Sequence, residues 1–212
     1  MDVIFYEPQA RDTRLLPHDP FKALVAPRPI GWISTVSPDG AAVNLAPYSF
    51  FNAVCDRPPI VMFSSSGMKD SATFAHATRE FVWNLPSFSL RDAMNLTSAA
   101  LPRGESEFAH AGLSMAPSRL VAPPRVAEAP VAFECRVTQT LELDDAGGAK
   151  TNRHVVFGQV VGVHLDETFV DERGQVDTAA LAPVARCGYT DEYAVVDALF
   201  RMPRPDDVPS WR

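Results

Sequence analysis

The stretch from Pro47 to Ser71 holds the densest set of groups able to grip a ligand. Pro47-Tyr48-Ser49-Phe50-Phe51-Asn52 offers flat apolar surface with polar edges, suited to a planar heteroaromatic ring. A turn at Asp56-Arg57-Pro58-Pro59 follows, and the apolar run Ile60 to Phe63 then opens into Ser64, Ser65, Ser66, Gly67, Lys69 and Ser71. Hydroxyls, backbone N–H groups and one cation just ahead of an expected helix suit a phosphate. A ring-holding segment followed by a phosphate-holding one points to a mononucleotide cofactor.

Each of these residues also has a plainer reading. Tyr48, Phe50 and Phe51 have the character of core aromatics. Ser64 to Ser66 could only cap a helix. A lysine such as Lys69 is by default solvated. His154 fits a hydrogen-bonded core or interface histidine as well as a catalytic one. Arg28, before Pro29, reads as the partner of a carboxylate, and Cys55 and Cys187 as buried thiols.

Absent motifs narrow the chemistry. The chain has no G-x-G-x-x-G, no G-x-x-x-x-G-K-[ST], no H-E-x-x-H and no G-x-S-x-G, which argues against a Rossmann site, a P-loop, a zincin and a hydrolase elbow. His18, His76, His110, His154 and His164 show no metal-ligand spacing, so no metal is expected. Cys55, Cys135 and Cys187 form no C-x-x-C pair and read as reduced thiols. Side-chain chemistry alone lacks a candidate, which shifts weight to an organic cofactor.

Composition sets the frame. The 212 residues are 46% hydrophobic and 21% charged, with a formal net charge of -7, as in a single globular domain with a real core. The acidic balance argues against nucleic-acid binding. No basic n-region and no long apolar window are seen, so no signal peptide and no membrane span are expected, and the location read is cytoplasmic.

The elements that must position these residues are short. Residues 1–18 read as an arm, and Asp19-Pro20 starts a short helix. Strands are expected over Ile30 to Val36, Ala41 to Leu45, Ile60 to Ser64 and Phe81 to Leu85, with turns at Ser37-Pro38-Asp39-Gly40 and Asp144 to Gly148. Helices are expected over Lys69 to Thr78 and Leu90 to Ala100. Val131 to Leu143 alternates apolar and polar as a half-buried strand. His154 to Leu165 is apolar on both parities, so both its faces should be covered, its glycines allowing a bend or close backbone approach. Short strands with a few interposed helices favour a small barrel.

Arg28-Pro29-Ile30-Gly31-Trp32-Ile33-Ser34-Thr35, with Ser37-Pro38-Asp39-Gly40, resembles the opening of the flavin reductase-like, FMN-binding split β-barrel family. Asn44 to Asn52, Phe81 to Leu85, Glu107-Phe108 before Ala111-Gly112-Leu113, Arg125 to Val131, His154 to Gly158 and Pro183 to Arg186 extend the resemblance over residues 19–203, leaving 204–212 as a tail. The nearest branch is flavoredoxin-like, which includes reductase components of two-component monooxygenases. The resemblance implies a mainly β fold with helices, a split-barrel homodimer with FMN near its interface, and NADH or NADPH as co-substrate. By the same resemblance, Ala46, Pro47, Tyr48, Ser49, Phe50 and Asn52 line the flavin ring and ribityl chain. Ser64, Ser65, Ser66, Lys69 and Ser71 wrap the phosphate, and His154 faces the nicotinamide. Where many relatives carry Arg in the phosphate loop, Met68-Lys69-Asp70 stands here, which leaves FMN and FAD both open.

Hydride transfer to a flavin needs two rings stacked at about 3–3.5 Å, with N–H donors where charge develops, and backbone amides around Ser49 to Asn52 are the candidates. Three functions stay open: a flavin reductase feeding an oxygenase or other acceptor, an FMN electron carrier, and a non-catalytic flavin-binding module.

Overall fold

The computed structural model of the protein describes residues 2–102 and 105–202. The tail expected at 204–212 lies outside them. Chain order gives α1 (Phe21–Leu24), β1 (Arg28–Pro29), β2 (Gly31–Val36), β3 (Val43–Tyr48), β4 (Phe51–Asp56), β5 (Pro59–Ser66), α2 (Asp70–Thr78) and β6 (Glu80–Asn84). It continues through α3 (Arg91–Leu96), α4 (Glu107–His110), β7 (Met115–Ala116), β8 (Arg125–Val126), β9 (Val131–Asp144), β10 (Lys150–Leu165), α5 (Thr178–Leu181), β11 (Val184–Arg186) and β12 (Tyr193–Val195).

Seven strands hydrogen-bond in the order β3-β2-β6-β9-β10-β5-β4. The two edges of that sheet, β3 and β4, are consecutive in the chain, with only Ser49 and Phe50 between them. So short a link forces the sheet to curl until its edges meet without pairing. That is a barrel with one seam left open, as the split-barrel resemblance implies.

One face of α2 covers the interior, while Thr73, His76 and Ala77 on its other side are exposed. Its Ala72 and Ala75 are fully buried in a core with Ile33, Phe51, Phe63, Phe81 and Val156. Alanine's small side chain lets the helix lie close against the strands. A second core joins Trp32, Leu45, Met94, Phe108, Val126 and Val184, and Trp32 Nε1 donates to Thr97 Oγ1 at 2.9 Å. Gly158 shows why β10 carries glycine: a Cβ there would sit 2.3 Å from Phe81 Cε1. The aromatic ring lies against bare backbone.

Two expectations change. The even alternation read over Val131 to Leu143 breaks at a bulge. Phe157 pairs with Gln139 while Gly158 pairs with Val137, so Thr138 is the extra residue and the face reverses beyond it. Leu141 and Leu143 are therefore 38% and 41% exposed. The segment Pro47 to Asn52, read as a loop, is mostly strand: Pro47 and Tyr48 end β3, and Phe51 and Asn52 open β4. Proline weakened the strand signal, yet it is tolerated because β3 is an edge. Among the described residues no helix is long and apolar enough to cross a membrane.

Candidate functional site

The open seam is where the two sequence-predicted segments meet. Ser64 N donates to Phe50 O at 2.9 Å, and the Tyr48 and Phe63 rings lie 4.9 Å apart across the gap. Ala46 and Tyr48 are half-buried on β3, paired with Ile33 and Gly31. Pro47 and Ser49 wall a cavity of about 620 Å³ shared with Arg91, Arg186 and Tyr193. Ser49 also borders a second, of about 510 Å³, with Lys22, Arg28 and Arg186. Phe50 lies under the Arg28 guanidinium, 6.0 Å from ring centroid to Cζ. Asn52 is exposed and reaches an apolar cavity of about 350 Å³ beside Phe51, Trp83 and Phe133.

Strand alternation divides the serines. Ser65 is fully buried and faces α2, while Ser64 and Ser66 take the other face of β5. Ser71, 1% exposed, donates to Asn44 Oδ1, and Asn44 Nδ2 donates to Glu107 Oε1 at 3.0 Å. Glu107 Oε2 also accepts from Leu45 N at 3.1 Å. The Tyr48 phenol joins this buried group. Burial pushes its pKa up, partly offset by the Ser71 and Ser65 hydroxyls. Ser65 Oγ, close enough to bias Tyr48, still lacks a hydrogen bond of normal geometry, which leaves it orphaned. Ser65 and Ser71 are thus the floor of the segment, and Ser66 and Lys69 its exposed rim.

At that rim α2 begins with Lys69 as N-cap residue and no side-chain cap, so its first N–H groups point outward unpaired. Gly67 turns the chain with φ +76°, pinned by its N–H to Asn152 O at 2.8 Å. Exposed Asp70 in the first turn suits the helix dipole but opposes a bound anion. A second cation offsets it. Arg153 pairs with Ser66 across β5 and β10 and therefore shares its face. Sequence reading missed Arg153 because period two alone cannot give strand register. An uncapped helix start, two exposed cations and surface hydroxyls fit a phosphate, and the orphaned Ser65 hydroxyl beneath is consistent with a polar neighbour.

His154 is brought close but differently. It is half-buried, opposite Ser65 on β5 and Glu142 on β9, on the face away from Ser64, Ser66 and Arg153. Three plainer expectations are corrected. Arg28, 6% exposed, donates to the carbonyls of Lys22, Val25 and Cys187 rather than to a carboxylate, so it ties the α1 segment to the later loop. Cys55 is exposed, on the outer edge strand, and Cys187 is only half-buried. Cys135 is the buried thiol, its pKa raised strongly by burial. Among the described residues no cluster of three or more potential metal ligands exists.

This geometry has relatives. An uncharacterized protein of Aquifex aeolicus is 38% identical over 170 residues, covering 78% of this chain and 83% of that one. Nitrilotriacetate monooxygenase component B from Bacillus cereus superposes with a TM-score of 0.83 at 28% identity, over 95% of this chain and all of that one. The 2-nitrobenzoate 2-nitroreductase of Pseudomonas fluorescens does so at 0.77 and 26%, over 91% and 92% of the two chains. Flavoredoxin of Desulfovibrio vulgaris, at 21% identity and a TM-score of 0.74 over 84% and 91%, shares the fold. The flavin reductase like domain matches residues 24–180, and the chain belongs to that family.

Proposed function

We propose that the protein binds FMN non-covalently along the open seam and reduces it with NADH or NADPH. The observation that carries this is the joining of β3 to β4 by Ser49 and Phe50, which sets the ring segment against Ser64 to Ser66 and the uncapped start of α2. Ser66, Lys69, Arg153 and the first α2 N–H groups would hold the phosphate. Ala46, Pro47, Tyr48, Ser49, Phe50, Asn52 and Ser64 would line the ring and ribityl chain, with Ser65 and Ser71 supporting them from beneath. Bound there, FMN supplies a two-electron acceptor that the side chains lack. The protein's part is to hold the ring, exclude water with Tyr48 and Phe50, and aim backbone N–H groups of Ser49 to Asn52 at developing negative charge.

The chain has no dinucleotide fingerprint, so the nicotinamide would bind against the flavin; His154, which the resemblance sets beside it, lies on the face of β10 away from Ser64 and Ser66. The likeness to a monooxygenase component supports onward transfer of reduced flavin or electrons to an oxygenase or another acceptor. A homodimer belongs to the same proposal. The apolar run His154 to Leu165 is largely used internally, since Val155, Val156 and Val160 are buried within the chain. Leu141 and Leu143 remain as apolar surface for a partner.

Two measurements test this reading. Lys69→Ala should weaken FMN roughly ten- to hundredfold, the worth of a charged hydrogen bond, and leave riboflavin affinity unchanged. Equal losses for both ligands would remove Lys69 from the phosphate site. Anaerobic stopped-flow should show NADH or NADPH bleaching the flavin absorbance. If His154 borders the nicotinamide, as the resemblance implies, His154→Ala should slow that step or raise KM with little change in FMN affinity; an unchanged step would match its place on the face away from Ser66 and remove the assignment. If neither nucleotide bleaches the flavin, the electron-carrier reading replaces the reductase.

A further inference from the structure

A cavity of about 610 Å³ lies between the loop before β8 and the far end of β10, lined by Arg119, Leu120, Arg125, Glu134, Val163 and His164 among others. It shares no lining residue with the two predicted flavin segments. Its polar side chains are unequally engaged. Glu134, 1% exposed, spends both carboxylate oxygens internally. Oε1 accepts from Arg119 N at 2.8 Å and from His164 Nε2 at 2.5 Å. Oε2 accepts from Leu120 N at 2.6 Å and Val121 N at 3.1 Å. Asp166 is only half committed: its Oδ1 accepts from Thr168 N and Thr168 Oγ1 at 2.9 and 2.8 Å, while its side chain is exposed at the cavity's edge.

The donors are not committed. Arg125 Nε is buried without a partner, and among the described residues neither the Arg119 nor the Arg125 guanidinium enters a salt bridge. His164, with a side chain 20% exposed, is tied to Glu134 through Nε2 and serves as wall rather than as a free donor. The Arg125 Nε is closed off from solvent, but among the described residues the terminal guanidinium nitrogens of Arg125 are neither closed off nor hydrogen-bonded, and they are the donors a ligand in the cavity can reach. Leu120, Val163 and Leu165 add apolar wall, 50%, 60% and 39% exposed.

We propose that this cavity is a second ligand site, for a small organic acid whose carboxylate meets Arg125 and Arg119 and whose short apolar body lies on Leu120, Val163 and Leu165. Arginine's planar fork matches a carboxylate in two parallel hydrogen bonds. The oxygens of Glu134 are turned to the loop N–H groups and to His164, which lessens its repulsion of the ligand, and the two guanidinium charges oppose what remains from Glu134 and Asp166.

The test uses the purified full-length protein, with benzoate and inorganic phosphate as separate calorimetric probes. Benzoate should bind saturably, with and without added FMN, and should shift the His164 ring resonances in NMR. Arg125→Ala should weaken it roughly tenfold or more, while Lys69→Ala leaves it unchanged. Because Arg125 is partly buried, Arg119→Ala, at an exposed position, serves as a second variant and should weaken benzoate as well. No saturable benzoate binding overturns the proposal, as does phosphate binding without benzoate binding. Benzoate affinity that is unchanged in folded Arg125→Ala or Arg119→Ala overturns it too. Loss of benzoate to FMN competition would place benzoate in the flavin site and also overturn it.

Discussion

Glu134→Ala should destabilise the protein by several kcal/mol, because it takes the acceptor from three loop N–H groups, at about 1–3 kcal/mol for each donor left buried. Glu134 is the one buried charged side chain of β9, and four donors converge on it from two directions. Three are consecutive backbone N–H groups of Arg119, Leu120 and Val121, so the carboxylate is the anchor of a loop with little other regular structure. Truncation strips that anchor and leaves His164 facing an empty polar space. Glu134→Gln, which keeps one acceptor oxygen, should cost clearly less. Urea unfolding of the three proteins decides the matter, and a loss below about 1 kcal/mol, the level of an ordinary surface change, would refute the role. The pH dependence has a defined sign. Burial opposes ionisation of Glu134, but the N–H groups of Arg119 and Leu120 and the His164 ring hold its pKa below the ordinary 4.5. The unfolded chain therefore takes up a proton first on acidification. The contribution is complete above 4.5 and is lost as pH falls through the folded value, a loss that Glu134→Gln should not show.

The second large effect is expected from Phe63→Ala, at about 3–5 kcal/mol. Phe63 is fully buried, 4.9 Å from the Tyr48 ring and 5.3 Å edge-to-face from Phe81. It is the packing element that holds β5 against the inner helix and keeps Tyr48 in place across the seam. Its loss should therefore lower FMN affinity as well as the unfolding midpoint, although its ring lies on the face away from Ser64 and Ser66. Phe63→Leu should recover most of the stability. Calorimetry and flavin titration on one sample separate the effects. A Phe63→Ala protein that melts early but binds FMN as before would show that the ring segment does not depend on this packing.

Much of the architecture was legible because it rests on local signals. The Ser37-Pro38-Asp39-Gly40 turn is closed by Gly40 N to Ser37 O at 2.9 Å, with Gly40 at φ +74°. The helix expected from Lys69 begins one residue later, at Asp70. What could not be read locally was register and seam. β4 went unseen because Asn52, Cys55 and Asp56 interrupt its apolar pattern, and because an edge strand need cover only one side. The helix read as far as Ala100 stops at Leu96, where Thr97 turns its hydroxyl to Met94 O and receives Trp32 Nε1, a tertiary contact no window reports. At the site, residue types were readable but side-chain direction was not. Ser65 and Ser71 look identical to Ser66 in the sequence, yet two are floor and one is rim. Arg153 became visible only when β10 was aligned to β5.

The Ser49–Phe50 link acts as a covalent ruler. Tyr48 and Phe51 are three Cα steps apart, so full extension caps their separation at roughly 11 Å, at about 3.6 Å per residue. The seam can shift or twist, but at that end it cannot be prised wider by any ligand, however bulky. The proposed flavin ring would have to lie within that limit, which chain length sets rather than a side chain. Tolerance for ligand thickness is thus set by the number of residues in one connection, and lengthening that connection, rather than trimming Tyr48 or Phe50, is the change that would relax it.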